Sequence, residues 1–447
     1  VMYVKSQKFL VLGVSKSGCS AAGSILSHGG TCYLYEELKS DKISSSIAKL
    51  CSLGAVNVTG KVEEYIDKID VLVISPGVPI NHPVAVMAKK AGKRIMGELE
   101  FGYLSLCPVV IGVTGTNGKT TTVNMISNIL KEAAVKHHLC GNVGVPITTV
   151  AESLEKGDVL VAEVSSFQLE STQFFAPHIA CVLNVSPDHL ERHYTMDNYV
   201  FLKKRLLKNS SESEYAVLNY DDEKVREFAD GLKSNVIWVS VKEPVNGAYC
   251  LNGEIYYKNE KIMPASELPT VGEHNVYNAL FGVAVAKLMS VNTEYIKNGL
   301  ISFKGVKHRI ELVGEKNGVK FYDDSKATNT ASTITALNSV NSPVILILGG
   351  SEKGEKYDLL FKEIKKKHVK HVIITGASKL NMLSAANEAG MSDVTVTPDF
   401  YNAVKISYML AESGDNVLLS PACASFDCFK NYEERGVAFC KIVDGFI

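Results

Sequence analysis

The stretch Val110-Ile111-Gly112-Val113-Thr114-Gly115-Thr116-Asn117-Gly118-Lys119-Thr120-Thr121-Thr122 holds a strand, a glycine turn and a helix start in one short run. The apolar residues from Val109 to Val113 predict a buried strand, and Val123, Ile126, Leu130 and Ala133 fall on one face of a following helix. Gly115, Thr116, Asn117 and Gly118 therefore sit in the strand-to-helix turn, where backbone N–H groups and the helix dipole favour an anion. Lys119 adds a positive charge for β- and γ-phosphates, and the Thr120 hydroxyl suits Mg²⁺. The common Walker A pattern has a glycine where Val113 stands. The loop is thus a variant, and a glycine turn with a chance Lys-Thr would not come with strand, turn and helix in this order.

Outward from this loop, short runs rich in Val and Ile alternate with amphipathic stretches, the pattern of parallel strands with crossover helices. A first set opens with Phe9-Leu10-Val11-Leu12-Gly13, passes Cys32–Tyr35 and Val71–Ile74, and ends near Arg94-Ile95-Met96-Gly97. The second opens at Val109 and continues through Val159–Ala162, Ile179–Leu183, Tyr215–Leu218 and Val236–Val239. The third holds Val344–Leu348, Val372–Ile374, Val394–Val396 and Val417–Leu419. These predict an α/β protein of three successive domains, 1–105, 106–305 and 306–447, with Rossmann-like first and third domains flanking a central P-loop ATPase-type domain.

Composition narrows the function. The chain has 447 residues, 46% hydrophobic and 21% charged, with a formal net charge of −1. No global basic field recruits nucleic acid or an anionic membrane. Lys365, Lys366, Lys367 and His368 read as a solvated helix face. Ten cysteines without a Cys-x-x-Cys pair fit neither a zinc framework nor a disulfide scaffold. Free thiols, the lack of a signal-peptide pattern and of any long uncharged apolar run predict a cytoplasmic chain without membrane insertion.

The run Thr114-Gly115-Thr116-Asn117-Gly118-Lys119-Thr120 resembles the phosphate loop of the Mur ligase superfamily. Other stretches are similar to the same family: Gly141-Asn142-Val143-Gly144, Glu163 to Glu170 (EVSSFQLE), Asn184 to Leu190 (NVSPDHL), Asp324 to Asn329 (DSKATN) and Ser420 to Asp427 (SPACASFD). Together they look most like the D-glutamate-adding branch, and the resemblance covers all three predicted domains. It implies an ATP-dependent ligase of peptidoglycan precursor synthesis, working on UDP-N-acetylmuramoyl-L-alanine and D-glutamate with ATP and two Mg²⁺ ions, as a monomer.

The resemblance also implies residue roles. Gly115 to Thr121, with Asn142, Asn278, His308, Arg309 and Asp324, would meet ATP. Thr120 and Glu163 would hold one Mg²⁺. His189 and a carbamylated Lys203 would hold the second, with Lys119, His189 and Lys203 carrying catalysis. Lys203 and Tyr199 are four apart on one predicted helical face, although Lys204 is adjacent. Lys16, Ser17, Glu36, Ser75, Asn142, Ser165, Gln168 and His189 would bind the UDP substrate. Lys326, Thr328, Lys353, Ser425 and Tyr432 would bind D-glutamate; the family commonly has Phe at the position of Tyr432. Read without the resemblance, most of these are polar residues in caps and turns. The turn Gly13-Val14-Ser15-Lys16-Ser17-Gly18 lacks the middle glycine of a dinucleotide fingerprint, which argues against NAD.

The expected chemistry is phosphorylation of the L-alanine carboxylate and attack of the D-glutamate amine on the acyl phosphate, with domain closure excluding water. A sibling ligase adding another amino acid, a folyl-polyglutamate synthase, and a regulatory ATPase are the other classes this sequence leaves open.

Overall fold

The computed structural model describes residues 4–106, 109–150, 153–270, 272–340, 343–352, 354, 356–367 and 369–446. Among the described residues, three sheets form in chain order. The first is parallel, with spatial order Val56–Asn57, Thr31–Tyr35, Lys8–Leu12, Val71–Ile74, Arg94–Gly97. Val71 to Ile74 are all buried, as a strand covered by helices on both faces requires.

The second sheet runs Glu260–Pro264, Glu254–Tyr257, Gly247–Leu251, Asn235–Ser240, Tyr215–Asn219, Ile179–Val182, Val109–Thr114, Val159–Glu163, His137–Gly141. Its pairings are parallel except for the antiparallel extension from Gly247 to Pro264. The strand Val109–Thr114 sits between Ile179–Val182 and Val159–Glu163, so their three carboxyl ends share one sheet edge. That edge is where an open α/β sheet holds its ligand. The helix Lys119–Glu132 leaves the loop and buries Val123, Ile126 and Leu130.

The third sheet runs Glu311–Lys316, Val319–Asp323, Asn416–Leu419, Val344–Gly349, Val369–Thr375, Val394–Val396, with an antiparallel first pair and parallel pairing elsewhere. Contacts divide the chain into two units: one carries the first two sheets and residues 274–303, the other the third sheet. Helix Asp358–Lys366 exposes Lys365 and Lys366, the solvated face expected of that charge run. No disulfide joins the described cysteines, and no described helix is long and apolar enough to cross a membrane.

The segment around Tyr199 differs in detail from one continuous helix. A short turn Leu190–His193 ends at Tyr194, whose φ of 67° breaks the helix, and Thr195 caps a new one, Met196–Lys204, by accepting from Asn198 N–H. Tyr199 and Lys203 share its buried face.

Candidate active site

The loop is built as its glycines demand. Gly118 precedes the helix with φ of 87°, and a Cβ there would lie 2.6 Å from Asn278 Oδ1. Asn278 is itself buried, accepts from the Thr122 hydroxyl at 3.0 Å and donates to Asn275 Oδ1. Thr121 and Thr122 are buried in the first helical turn. Asn184 clamps the loop from just past the neighbouring strand Ile179–Val182: its Oδ1 accepts from the N–H groups of Thr116 and Asn117, and its Nδ2 donates to Asn117 O. The Thr116 hydroxyl exchanges hydrogen bonds with the backbone of Ser186 and meets Tyr199 OH at 3.2 Å.

Beside the loop, Thr120 Oγ1 donates to Glu163 Oε2 and Asn142 Nδ2 donates to Glu163 Oε1, each at 2.8 Å. Glu163 is buried at the end of its strand and joins no ion pair among the described residues. A carboxylate offers about four acceptor positions. Glu163 therefore keeps acceptor capacity next to a threonine hydroxyl, a hard-oxygen pair that fits Mg²⁺.

Two amines converge on one carbonyl. Lys119 Nζ donates to Gly115 O and Thr116 O, and Lys203 Nζ donates to Gly115 O at 2.7 Å. Lys203 is 1% exposed, and its ammonium lies over the Tyr199 ring at 4.5 Å. Burial, and then the Lys119 charge, push the Lys203 pKa well below the ordinary lysine value, with Asp188 opposing. Burial separates Lys203 from its neighbour: Lys204 is half-buried and lies over the Phe228 ring. Burial and a nearby charge also raise the Tyr199 hydroxyl pKa.

His189 is far more exposed than Lys203. It adopts φ of 52°, packs against Phe167 at 4.8 Å between ring centroids, and is 45% exposed in its side chain beside Asp188 and Glu191. His193, which sequence reasoning passed over, is buried between Phe167 and Tyr199 and bonds the Ser166 hydroxyl at 3.0 Å. Burial lowers its pKa. Ser165 and Gln168 form a reciprocal capping box on Ser166–Leu169, which occupies both side chains locally.

The first sheet's turn reaches the same region. Lys16 Nζ donates to Gly144 O, two residues past Asn142. Arg192 pairs with Glu170 at 2.7 Å and donates to the carbonyls of Pro76, Gly77 and Val78. Ser17 is partly exposed at the helix start. Glu36 accepts from Val14 N–H at 2.6 Å, and buried Ser75 donates to Gly13 O at 2.7 Å, so both brace the turn. A Cβ on Gly18 would lie 1.9 Å from Gly13 O, which fixes glycine there.

In the other unit, Asp324 is buried, accepts from the Ser420 hydroxyl at 2.7 Å and has its pKa raised to about 7 by desolvation. Half-buried Arg309 opposes that rise. His308 pairs with buried Asp323 at 2.6 Å, which raises the His308 pKa, and Glu311 lies close enough for the three to surround a cation. Lys326 lies over the Tyr432 ring at 5.8 Å. Thr328 is half-buried, with its N–H on Lys326 O, and Ser425 is buried. Lys353 lies outside the described residues.

Three family models match successive parts of the chain. Residues 7–97 match the Mur ligase MurD-like N-terminal domain, 113–286 the Mur ligase middle domain, and 308–423 the Mur ligase glutamate ligase domain. The chain is 38% identical to a UDP-N-acetylmuramoylalanine–D-glutamate ligase of Caldanaerobacter subterraneus subsp. tengcongensis, covering 99% of both chains. The ligase of the same name from Clostridioides difficile is 38% identical over 98% of both, and that of Streptococcus mutans 39% identical over 97% and 96%. Two solved Thermotoga maritima structures share the fold at 18% identity and TM-score 0.61. These are the UDP-N-acetylmuramate-alanine ligase MurC, covering 98% of this chain and 99% of that one, and the MurF ligase in complex with ADP, covering 99% and 96%.

Proposed function

The chain belongs to the Mur ligase family, whose members are ATP-dependent, ADP-forming amino-acid ligases that generally need Mg²⁺, and we propose that it joins D-glutamate to UDP-N-acetylmuramoyl-L-alanine in peptidoglycan precursor synthesis. The observation that carries the reading is similarity to D-glutamate ligases along the whole chain rather than along the ATP-binding segment alone.

In this reading the L-alanyl carboxylate attacks the γ-phosphorus of ATP and ADP leaves. The D-glutamate amine, unprotonated, then attacks the acyl carbon. The tetrahedral species collapses to the amide as inorganic phosphate departs, and the amine loses one proton. Bound Mg²⁺ would offset charge on the phosphate groups. Thr120 and Glu163 would hold one ion, with Asn142 orienting Glu163. His189 and Lys203 would hold a second once Lys203 carries a carbamate. Its buried amine is suited to that: a neutral nitrogen bonds the carbon of CO₂ and releases a proton, replacing a cation with an anionic ligand. Lys119 would exchange the loop carbonyls for phosphate oxygens, while the N–H groups of Gly115 to Thr121 cradle them. Asn278 would support the loop from behind.

Lys16 and Ser17 would take the UDP diphosphate, with Glu36 and Ser75 shaping the turn and Ser165, Gln168 and His189 toward the acyl end. His308, Arg309 and Asp324 would complete ATP binding. Lys326, Thr328, Lys353, Ser425 and Tyr432 would hold D-glutamate. We read the enzyme as a cytoplasmic monomer.

Phosphate release from ATP and Mg²⁺, measured with UDP-N-acetylmuramoyl-L-alanine and each amino acid in turn, tests this. Stimulation by D-glutamate alone, with a product heavier by one glutamyl residue, is expected. Stimulation by a different amino acid would make the chain a sibling ligase. Release indifferent to both substrates would reduce it to an ATPase.

A further inference from the structure

A cleft of about 780 Å³ lies within the first unit, away from the phosphate loop, between the edge of the first sheet and the segments 170–173 and 205–208. Lys89, Lys93, Arg94, Arg205 and Lys208 line it, and among the described residues none of the five is in an ion pair. The one acid in the lining, Glu170, already receives two hydrogen bonds from Arg192. Nor does nearby Glu100 serve, since its oxygens accept from the backbone N–H groups of Gln173, Phe174 and Phe175. Lys93 Nζ donates to Asp67 O, and Arg205 Nη2 to Thr172 O. The Arg205 Nε is buried without a hydrogen-bond partner.

Five uncompensated cations around one concavity are unusual on a chain whose net charge is −1. Like charges gathered on low-dielectric walls repel one another and raise the local concentration of anions. A guanidinium cannot shed its charge, and its planar fork is made for phosphate or carboxylate oxygens. The volume is that of a small-molecule site, and Ile80 and Ile95 supply an apolar wall for an organic portion. Two linings of the cleft are continuous with the candidate active site. Arg205 follows Lys203 by two residues and holds the carbonyl of Thr172, while Glu170 anchors Arg192, three residues past His189.

We propose that this cleft is an effector site for a small anion carrying two or more phosphate groups. Its occupant bridges the first sheet's edge to the segments that bear His189 and Lys203, and thereby alters turnover.

The test is calorimetric titration of inorganic pyrophosphate into the full chain, with ADP and UDP saturating and free Mg²⁺ held constant, so that the phosphate loop and the first-sheet turn are already filled. One equivalent should bind, and the affinity should fall at least tenfold in the triple variant Lys93→Gln, Arg94→Gln, Lys208→Gln, whose basal phosphate release is unchanged. In turnover assays at fixed free Mg²⁺, pyrophosphate should shift KM or kcat at least twofold in the parent beyond any effect on the triple variant. A sugar bisphosphate run in parallel identifies the source: tighter binding than pyrophosphate assigns the organic portion to the apolar wall, and weaker binding assigns a free polyphosphate. Non-saturating heats, several equivalents, or equal affinity in the triple variant would overturn the site. Saturable binding that leaves KM and kcat unmoved would overturn the effector role.

Discussion

Lys119 and Lys203 donate to the same carbonyl oxygen, that of Gly115, at 2.8 and 2.7 Å. Two ammonium groups on one acceptor repel, and the buried one yields its proton more easily. From the lowered Lys203 pKa up to the ordinary lysine value, the unfolded chain binds a proton that the folded chain does not. Stability therefore rises with pH through that window. Lys203→Met removes the group at similar volume. In CO₂-free buffer the variant should melt above the parent at pH 7, and the gap should narrow toward pH 10. Phosphate release should fall about 100-fold or more, the size of effect seen when a transition-state charge partner is lost. A gap that stays constant between pH 7 and 10 would refute the pKa argument.

Lys119 is the reverse case, a partly exposed cation resting on the carbonyls of Gly115 and Thr116. Its charge is proposed for phosphate oxygens rather than for the fold. Lys119→Ala should abolish ligation while moving the melting temperature by no more than a few degrees. Retention of a tenth or more of the parent phosphate release would contradict the role given to the loop.

Asn184 acts on Asn117 of the loop from 67 residues away in sequence. Asn184→Ala leaves the Asn117 N–H and the Asn117 carbonyl without their side-chain partner, a loss of about 1–3 kcal/mol for partly buried backbone groups. The loop should bind ATP several-fold more weakly, seen as a raised KM for ATP, with kcat changed less. An unchanged KM would mean that the helix start alone holds the turn.

The sequence made most of the parallel strands legible because they are nearly continuous apolar runs, as in Val159–Glu163 and Val344–Gly349, which are buried throughout. Other strands were not. The edge strand His137–Gly141 opens with two half-buried histidines and interrupts its own apolar pattern. Gly247–Pro264 folds as an antiparallel extension of three short strands, GAYCL, EIYY and EKIMP, whose apolar residues are broken up by Tyr, Glu and Lys, so no apolar run announces it. At the site, residue types and order pointed to Lys119, Thr120 and Glu163, since strand ends and helix starts locate them. The Asn184 clamp and the buried His193 were illegible, because each depends on contacts between segments whose spacing carries no period. Burial, likewise invisible in a Lys-Lys pair, separates Lys203 from Lys204.

Asp324 gives a pH dependence of opposite sign. Its carboxyl is buried, and desolvation raises its pKa from 3.8 to about 7 even though the Ser420 hydroxyl donates to it. Between those values the folded chain holds a proton that the unfolded chain releases. The contribution to stability is full below pH 3.8 and is lost as pH rises toward 7. Asp324→Asn keeps the shape and removes the titration. In the absence of nucleotide, the parent should lose stability relative to this variant between pH 5 and pH 7.5, measured by denaturant midpoint at each pH. The ATP-binding role proposed for Asp324 predicts, in addition, a raised KM for ATP in the variant at pH 7.5. A parent-to-variant difference that is flat in pH would mean that Asp324 is ionised throughout and that Arg309 governs its charge instead.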